Sequence, residues 1–376
     1  MNLSPVVIAI PVFFVLILIE VIYEEFSEHK TYRLQDAVSN ISAGILQQLS
    51  GLFVKVISIG VYTWVYEHFA LTEIPMAAWS FVALFFLQDF CFYWKHRVAH
   101  RVSLFWGGHV VHHQSEEFNL SVALRQSSTE FLWGFPFYLP LAFLGFEPIQ
   151  YLTVAGFNLL YQFWIHTEHI DKLPRWFEAV MNTPSHHRVH HARDPKYIDK
   201  NYAGMFILWD RMFGTFVEEE ERPHYGVTVP IKSWNPIWAN FNHYIQLGKA
   251  LRQVRSFSDA WNILFQPPGW MPEYLGGVKE PEPVASTYKV YDRNEGYVAS
   301  NLYLAIQFLL NLFVAGFFFF TFSSLNSWET FFFTLWLTLS AFSFSFYFEK
   351  KGRWLFVLEA LRLVLLVGAI VYGLFI

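Results

Sequence analysis

Between His96 and His191 the chain carries three dense histidine motifs: His96-Arg-Val-Ala-His100, His109-Val-Val-His112-His113 and His186-His187-Arg-Val-His190-His191. Residues three and four apart share one face of a helix, so an H-x3-H pair or an H-x2-HH trio is expected to aim its imidazoles at one point. Imidazole suits zinc, copper, iron and nickel, and one ion takes about four to six ligands. The motifs offer nine histidines before His166 is added, which points to two metals. A lone histidine is more often a hydrogen-bonded core or surface group, but three such motifs so close together do not fit that explanation. Two histidine-held metals have two main chemistries: activation of water for hydrolysis, or activation of dioxygen by a di-iron pair. The Glu-x-x-His helices of soluble carboxylate-bridged di-iron bundles are absent from the sequence.

The elements that must position these motifs are apolar. Of 376 residues, 54% are hydrophobic and 42 are Phe, too greasy for a soluble chain of this length. Apolar runs of about 20 residues, the length that crosses a bilayer, occupy residues 6–23, 37–66 and 76–94, and again 299–322, 331–348 and 354–375. The expected fold is all-α: a multi-pass transmembrane bundle with a cytoplasmic, histidine-rich di-metal cap. It divides into N-terminal helices (1–94), a histidine-motif catalytic region (95–297) and C-terminal helices (298–376). Residues 131–165, broken by Pro136, Pro140, Gly145 and Pro148, are expected to form a membrane hairpin, because His166 must return to the side where the chain left. Residues 234–270 mix aromatic residues with Lys249, Arg252 and Arg255, as an interfacial helix does. Lys30, Arg33, Lys95, Arg97 and Arg101 all fall on the histidine side, with Lys350, Lys351 and Arg353, so the positive-inside rule puts the motifs in the cytoplasm. Lys55, inside an apolar run, is expected to snorkel. The single Cys91 excludes an internal disulfide and a cysteine metal cluster, and a net charge of -5 without a long basic run excludes nucleic acid as a partner.

The motif order on a multi-span chain resembles the fatty acid hydroxylase and sterol desaturase superfamily. Longer strings carry the likeness further: His112 to Ser127 (HHQSEEFNLSVALRQS), Leu160 to Glu168 (LYQFWIHTE), Asn182 to His191 (NTPSHHRVHH) and Asp199 to Gly204 (DKNYAG) are similar to the ether-lipid branch of that superfamily. The resemblance implies a di-iron monooxygenase that uses dioxygen to hydroxylate an alkylglycerol ether beside the ether oxygen, releasing a fatty aldehyde. It implies His96, His100, His109, His112, His113, His187, His190 and His191 as iron ligands, with His166 and His186 as further ones. Asn201 and Tyr202, in a shared string, are expected to support the ligands through hydrogen bonds. Glu116 and Glu117 could supply a carboxylate beside the second motif. In the family pattern an acidic residue follows the H-x3-H pair, whereas this chain has Arg101. The electron donor, tetrahydropterin or a redox protein, therefore stays open, as does the membrane, endoplasmic reticulum or bacterial inner membrane. Hydroxylation or desaturation of a sterol, fatty acyl or aminolipid chain is the alternative within oxygenases; metal-dependent lipid hydrolysis or metal binding without turnover is the alternative outside them.

Overall fold

The computed structural model describes residues 5–291, 298–350 and 352–375. The expected boundary at 297/298 falls beside the undescribed segment, and Lys351 lies outside the described residues. Ten helices organise the fold: α1 (Pro5–Glu25), α2 (Leu34–Phe69), α3 (Ala78–Arg101), α4 (Pro148–Trp164), α5 (Pro184–His190), α6 (Pro236–Leu251), α7 (Phe257–Phe265), α8 (Val298–Thr321), α9 (Ser327–Phe348) and α10 (Gly352–Phe375). Short helical turns join them. Among the described residues there is no strand, only isolated bridges at Met181–Phe206 and Ala192–Tyr225.

The chain is a multi-pass membrane bundle. Three helices, α2, Leu302–Ser324 and Ser327–Phe348, are long and apolar enough to cross a bilayer. The other apolar runs also become long helices, in α1, α3 and α10. The 36 residues of α2 extend roughly 54 Å at 1.5 Å per residue, so it runs from the polar cap deep into the apolar layer. Its partners change along its length: Val38, Ile41, Ile45 and Leu49 pack with α8 and α9 through Phe318, Trp336 and Phe344, while Tyr62 and Val65 pack with Leu84 and Leu141.

Residues 131–165 fold as two helical limbs. The first limb is interrupted, with turns at Phe131–Gly134, Phe135–Tyr138 and Leu139–Leu144, because Pro136 and Pro140 lack the N–H that a continuous helix requires. Gly145 turns the chain at φ 102°, a conformation that costs a side chain dearly. Pro148 then starts α4 at its first position, which packs back along α3 and α1. Buried carboxylates fix α1 to this assembly. Glu20 accepts from Tyr32 Oη (2.5 Å), the Leu120 N–H (2.8 Å) and Thr167 Oγ1 (2.5 Å), and Glu24 accepts from the Thr31 and Tyr32 N–H groups (2.7 and 3.1 Å). Each satisfies donors that would otherwise be buried alone.

Candidate metal centre

α3 carries His96 and His100 on one face to the edge of the cap and stops at Arg101. The chain then squeezes past two aromatic side chains. A Cβ at Gly107 would lie 2.6 Å from the Tyr244 ring, and one at Gly108 would overlap Trp133. This close passage leads directly into His109 and the turn Val110–His113. α4 ends just before His166, and α5, opened by Pro184, presents the last motif.

The imidazoles sort into two groups. His96, His100, His109, His113 and His190 bring one nitrogen each within 4.8 Å of one another; His112, His166, His187 and His191 do the same. All nine are buried. The groups are neighbours, with the His113 and His191 rings stacked at 4.4 Å between centroids. The expectation that each trio aims at one point is corrected. Adjacent helical residues diverge by about 100°, so His112 cannot share the target of His113, nor His190 that of His191. Pairs at i and i+4 stay together: His109 with His113, His187 with His191. Each trio thus contributes to both groups.

The nitrogens fit metal coordination. Nε2 to Nε2 separations are 2.9 Å for His96–His109 and His166–His187, and 3.2 Å for His109–His113, His112–His166 and His187–His191. Neighbouring ligands about 2.0–2.1 Å from one ion stand roughly 2.9–3.4 Å apart. In four rings the other nitrogen faces a backbone carbonyl: His96 Nδ1 on Tyr202 O (2.7 Å), His112 on Arg125 O (3.0 Å), His166 on Gln162 O (2.7 Å) and His190 on Lys200 O (3.0 Å). A carbonyl only accepts, so Nδ1 donates, the tautomer is fixed, and the Nε2 lone pair points inward. Nε2 of His100 and of His190 are buried without a hydrogen-bond partner, as unliganded donor atoms would be. Burial, reinforced by the surrounding imidazoles, holds His109, His113, His187 and His191 well below the usual histidine range, and burial pushes His112 down to about 4. These five rings are held neutral and available as ligands at physiological pH.

His186 joins neither group. It turns its ring edge-on to Phe216 and toward the Met181 backbone, and its own carbonyl accepts from Asn201 Nδ2 (3.1 Å). Asn201, at φ 52°, locks its loop to Val217 through both side-chain atoms (2.8 and 2.9 Å), and the Tyr202 ring lies against His96, His100 and His190. Glu117 pairs with Arg33, and Glu116 accepts from Tyr288 Oη and the Tyr291 N–H and lies near Arg193. His29, His68, His224 and His243 bind Glu168, the Trp64 carbonyl, Asp194 and the Ser103 carbonyl.

Acids that the sequence left unmarked do the positioning. Asp199, at φ 59°, places one oxygen 3.5 Å from His100 Nδ1 and the other 2.7 Å from Arg101 Nη1. Asp210 accepts from the Tyr202 and Ala203 N–H groups (both 2.8 Å) and Thr215 Oγ1 (2.6 Å), fixing the loop whose carbonyls orient His96 and His190. Asp89, fully buried on α3, accepts from Asn158 Nδ2, the Met205 and Phe206 N–H groups and Trp209 Nε1 (2.7–3.0 Å).

A cavity of about 560 Å³ ends on these groups. His96, His109, His112, His166 and His187 line it at one end, and Phe14, Ile41, Leu312 and Phe319, from α1, α2 and α8, line it elsewhere. Lys55 also reaches this wall: its stem turns back past Gly51 and Nζ donates to Gln48 Oε1 at 3.1 Å.

The fatty acid hydroxylase family profile matches residues 81–215, the span holding both histidine groups. Human alkylglycerol monooxygenase is 40% identical over 307 residues, covering 81% of this chain and 68% of that protein. The zebrafish (Danio rerio) protein of the same name is 37% identical over 363 residues, covering 95% and 80%. Rat lathosterol oxidase is 28% identical over 147 residues, covering 36% and 44%. No solved structure matches.

Proposed function

The chain belongs to the fatty acid hydroxylase family and is a membrane monooxygenase of lipids, and on that premise we propose that it is a di-iron enzyme whose substrate is an alkylglycerol ether, hydroxylated at the carbon beside the ether oxygen. The observation that carries this reading is the apolar cavity that ends on two adjacent groups of buried histidines. The irons would be held by His96, His100, His109, His113 and His190 on one side and His112, His166, His187 and His191 on the other. They would supply the oxidising power toward dioxygen and an unactivated C–H bond that no side chain possesses.

The protein's part is placement. The five carbonyl and carboxylate partners (Tyr202, Arg125, Gln162, Lys200 and Asp199) orient five of the nine imidazoles, those of His96, His112, His166, His190 and His100. Phe14, Ile41, Leu312 and Phe319 hold the alkyl chain and keep water away from the reacting carbon. One oxygen atom of dioxygen enters the lipid; the other leaves as water with two electrons and two protons from a reductant. The hydroxylated carbon then bears two oxygens, a hemiacetal, and falls apart to a fatty aldehyde and the glycerol. The reductant is a tetrahydropterin or a redox protein; Asp199, bound to Arg101, puts a carboxylate beside the first motif, where the family's acidic residue is missing from the sequence. The cations flanking the motifs favour a cytoplasmic cap, with 1–94 and 298–376 as the membrane-embedded parts and 95–297 as the catalytic region.

The test is turnover by purified protein loaded with iron or zinc. Oxygen-dependent release of fatty aldehyde from an alkylglycerol, with two irons per chain, is the expected result. Oxygen-independent activity with zinc, or oxidation of a sterol and not of the ether, would replace this reading.

A further inference from the structure

Lys95 and Glu130 form an ion pair (Nζ to Oε1, 2.6 Å) in the wall of the same cavity, beside the histidines. Lys95 immediately precedes His96, and the Glu130 backbone presses on Gly108, next to His109: its Cα lies 3.1 Å from where a Gly108 Cβ would stand. The Lys95 and Glu130 side chains are 14% and 19% exposed. Among the described residues neither hydrogen-bonds to any other side chain, the ammonium having only the Phe92 ring face at 4.7 Å in addition. A pair so placed adds little to folding, since desolvation offsets most of its attraction. What it does offer the cavity is a free carboxylate oxygen and two ammonium N–H bonds.

We propose that the Lys95–Glu130 pair is the headgroup clamp of the substrate site, binding an uncharged, hydroxyl-bearing glycerol head while the alkyl chain runs along Phe14, Ile41 and Leu312. The inference rests on the ether-lipid reading above and adds the residues that select the head. A hydroxyl donates to Glu130 and a hydroxyl or ether oxygen accepts from Lys95, so both halves of the pair are used. Because the pair carries no net charge, it gives a phosphorylated head no net attraction, whereas a free hydroxyl finds both an acceptor and a donor. Clamping the head beside His96 leaves the first carbon of the alkyl chain nearest the histidine groups.

The test measures equilibrium binding and turnover separately, on iron-loaded protein in lipid nanodiscs. The probes are an alkylglycerol with both hydroxyls free, the same lipid with both methylated, and its phosphate ester. Wild type is expected to bind the free diol roughly 10- to 100-fold more tightly than the methylated lipid, the range for hydrogen bonds to charged groups. Glu130→Gln and Lys95→Met are each expected to bring that ratio toward one, with the metal content of the wild type. A wild-type ratio near one, a ratio preserved in both variants, or tighter binding of the phosphate ester overturns the proposal. Should one variant fail to fold, the other variant and the wild-type ratio still decide. Discrimination in binding without turnover of the diol keeps the clamp and removes the ether-cleaving reading; turnover without discrimination does the reverse.

Discussion

The histidine cap and the C-terminal helices are held together by different means. In the cap, named hydrogen bonds tie the loops to the rings: Asp89 has four donors, Asp210 three, and four imidazoles rest on named carbonyls. α8 and α9 instead meet α2 through Phe318, Trp336, Phe344 and their neighbours, and α10 packs chiefly on α9. Hydrogen bonds fix direction, whereas apolar contact fixes only volume. The cap must hold nine nitrogens to within a few tenths of an ångström; the C-terminal helices need only supply a wall of the right width. Among their described residues the buried Arg362 is held by a short network to Ser340 (2.9 Å) and Glu359 (2.7 Å).

The contrast can be broken most sharply at the metal groups. His190→Ala should insert in the membrane but lose metal and turnover by more than the roughly 10- to 100-fold of an outer-partner change, read by elemental analysis and aldehyde release. Full activity in that variant would remove the five-membered group as a ligand set. Next comes Asp210→Asn, which turns an amide N–H toward donors it cannot accept. A loss of about 1–3 kcal/mol and a metal affinity roughly 10- to 100-fold weaker are expected from thermal unfolding and metal titration. A shift in stability without a shift in metal affinity would mean that the loop does not orient His96 and His190.

On the permissive side, Gly316 lines the cavity with open space where a Cβ would be. Gly316→Phe should leave folding intact while lowering kcat/KM for a long-chain lipid about tenfold more than for a short-chain one; an equal loss for both would place the alkyl chain elsewhere. Smallest of all is His186→Ala, expected to keep its full metal content and turnover and to lose about 1–3 kcal/mol of stability. Loss of one metal would return His186 to the ligand set.

Much of this was legible in residue types. Histidine spacing announced the cap, and apolar length announced the bundle, because both depend on side chains. Three things were not. The split of His112 from His113 needs the actual helical turn and not only the count, and His186 matches the motif as well as His187 does until α5 is oriented. The partners of His96, His112, His166 and His190 are backbone carbonyls, which every residue has and no sequence marks. Asp199 and Asp210 look like ordinary turn acids, and only the left-handed backbone at Asp199 and Asn201 brings that loop onto the rings. Glu116 and Glu117 stand close to His113 along the chain, but their partners in space, Arg33, Arg193 and Tyr288, are marked by no motif.

The cavity walls contributed by α1, α2 and α8 have a kinetic consequence. A molecule that reaches the histidines between these helices arrives by sliding sideways through the lipid layer, so its effective concentration is its share of the surrounding lipids and not its amount per litre. Diluting the substrate with inert phospholipid should slow the enzyme, while enlarging the aqueous volume around the same vesicles should leave its rate unchanged.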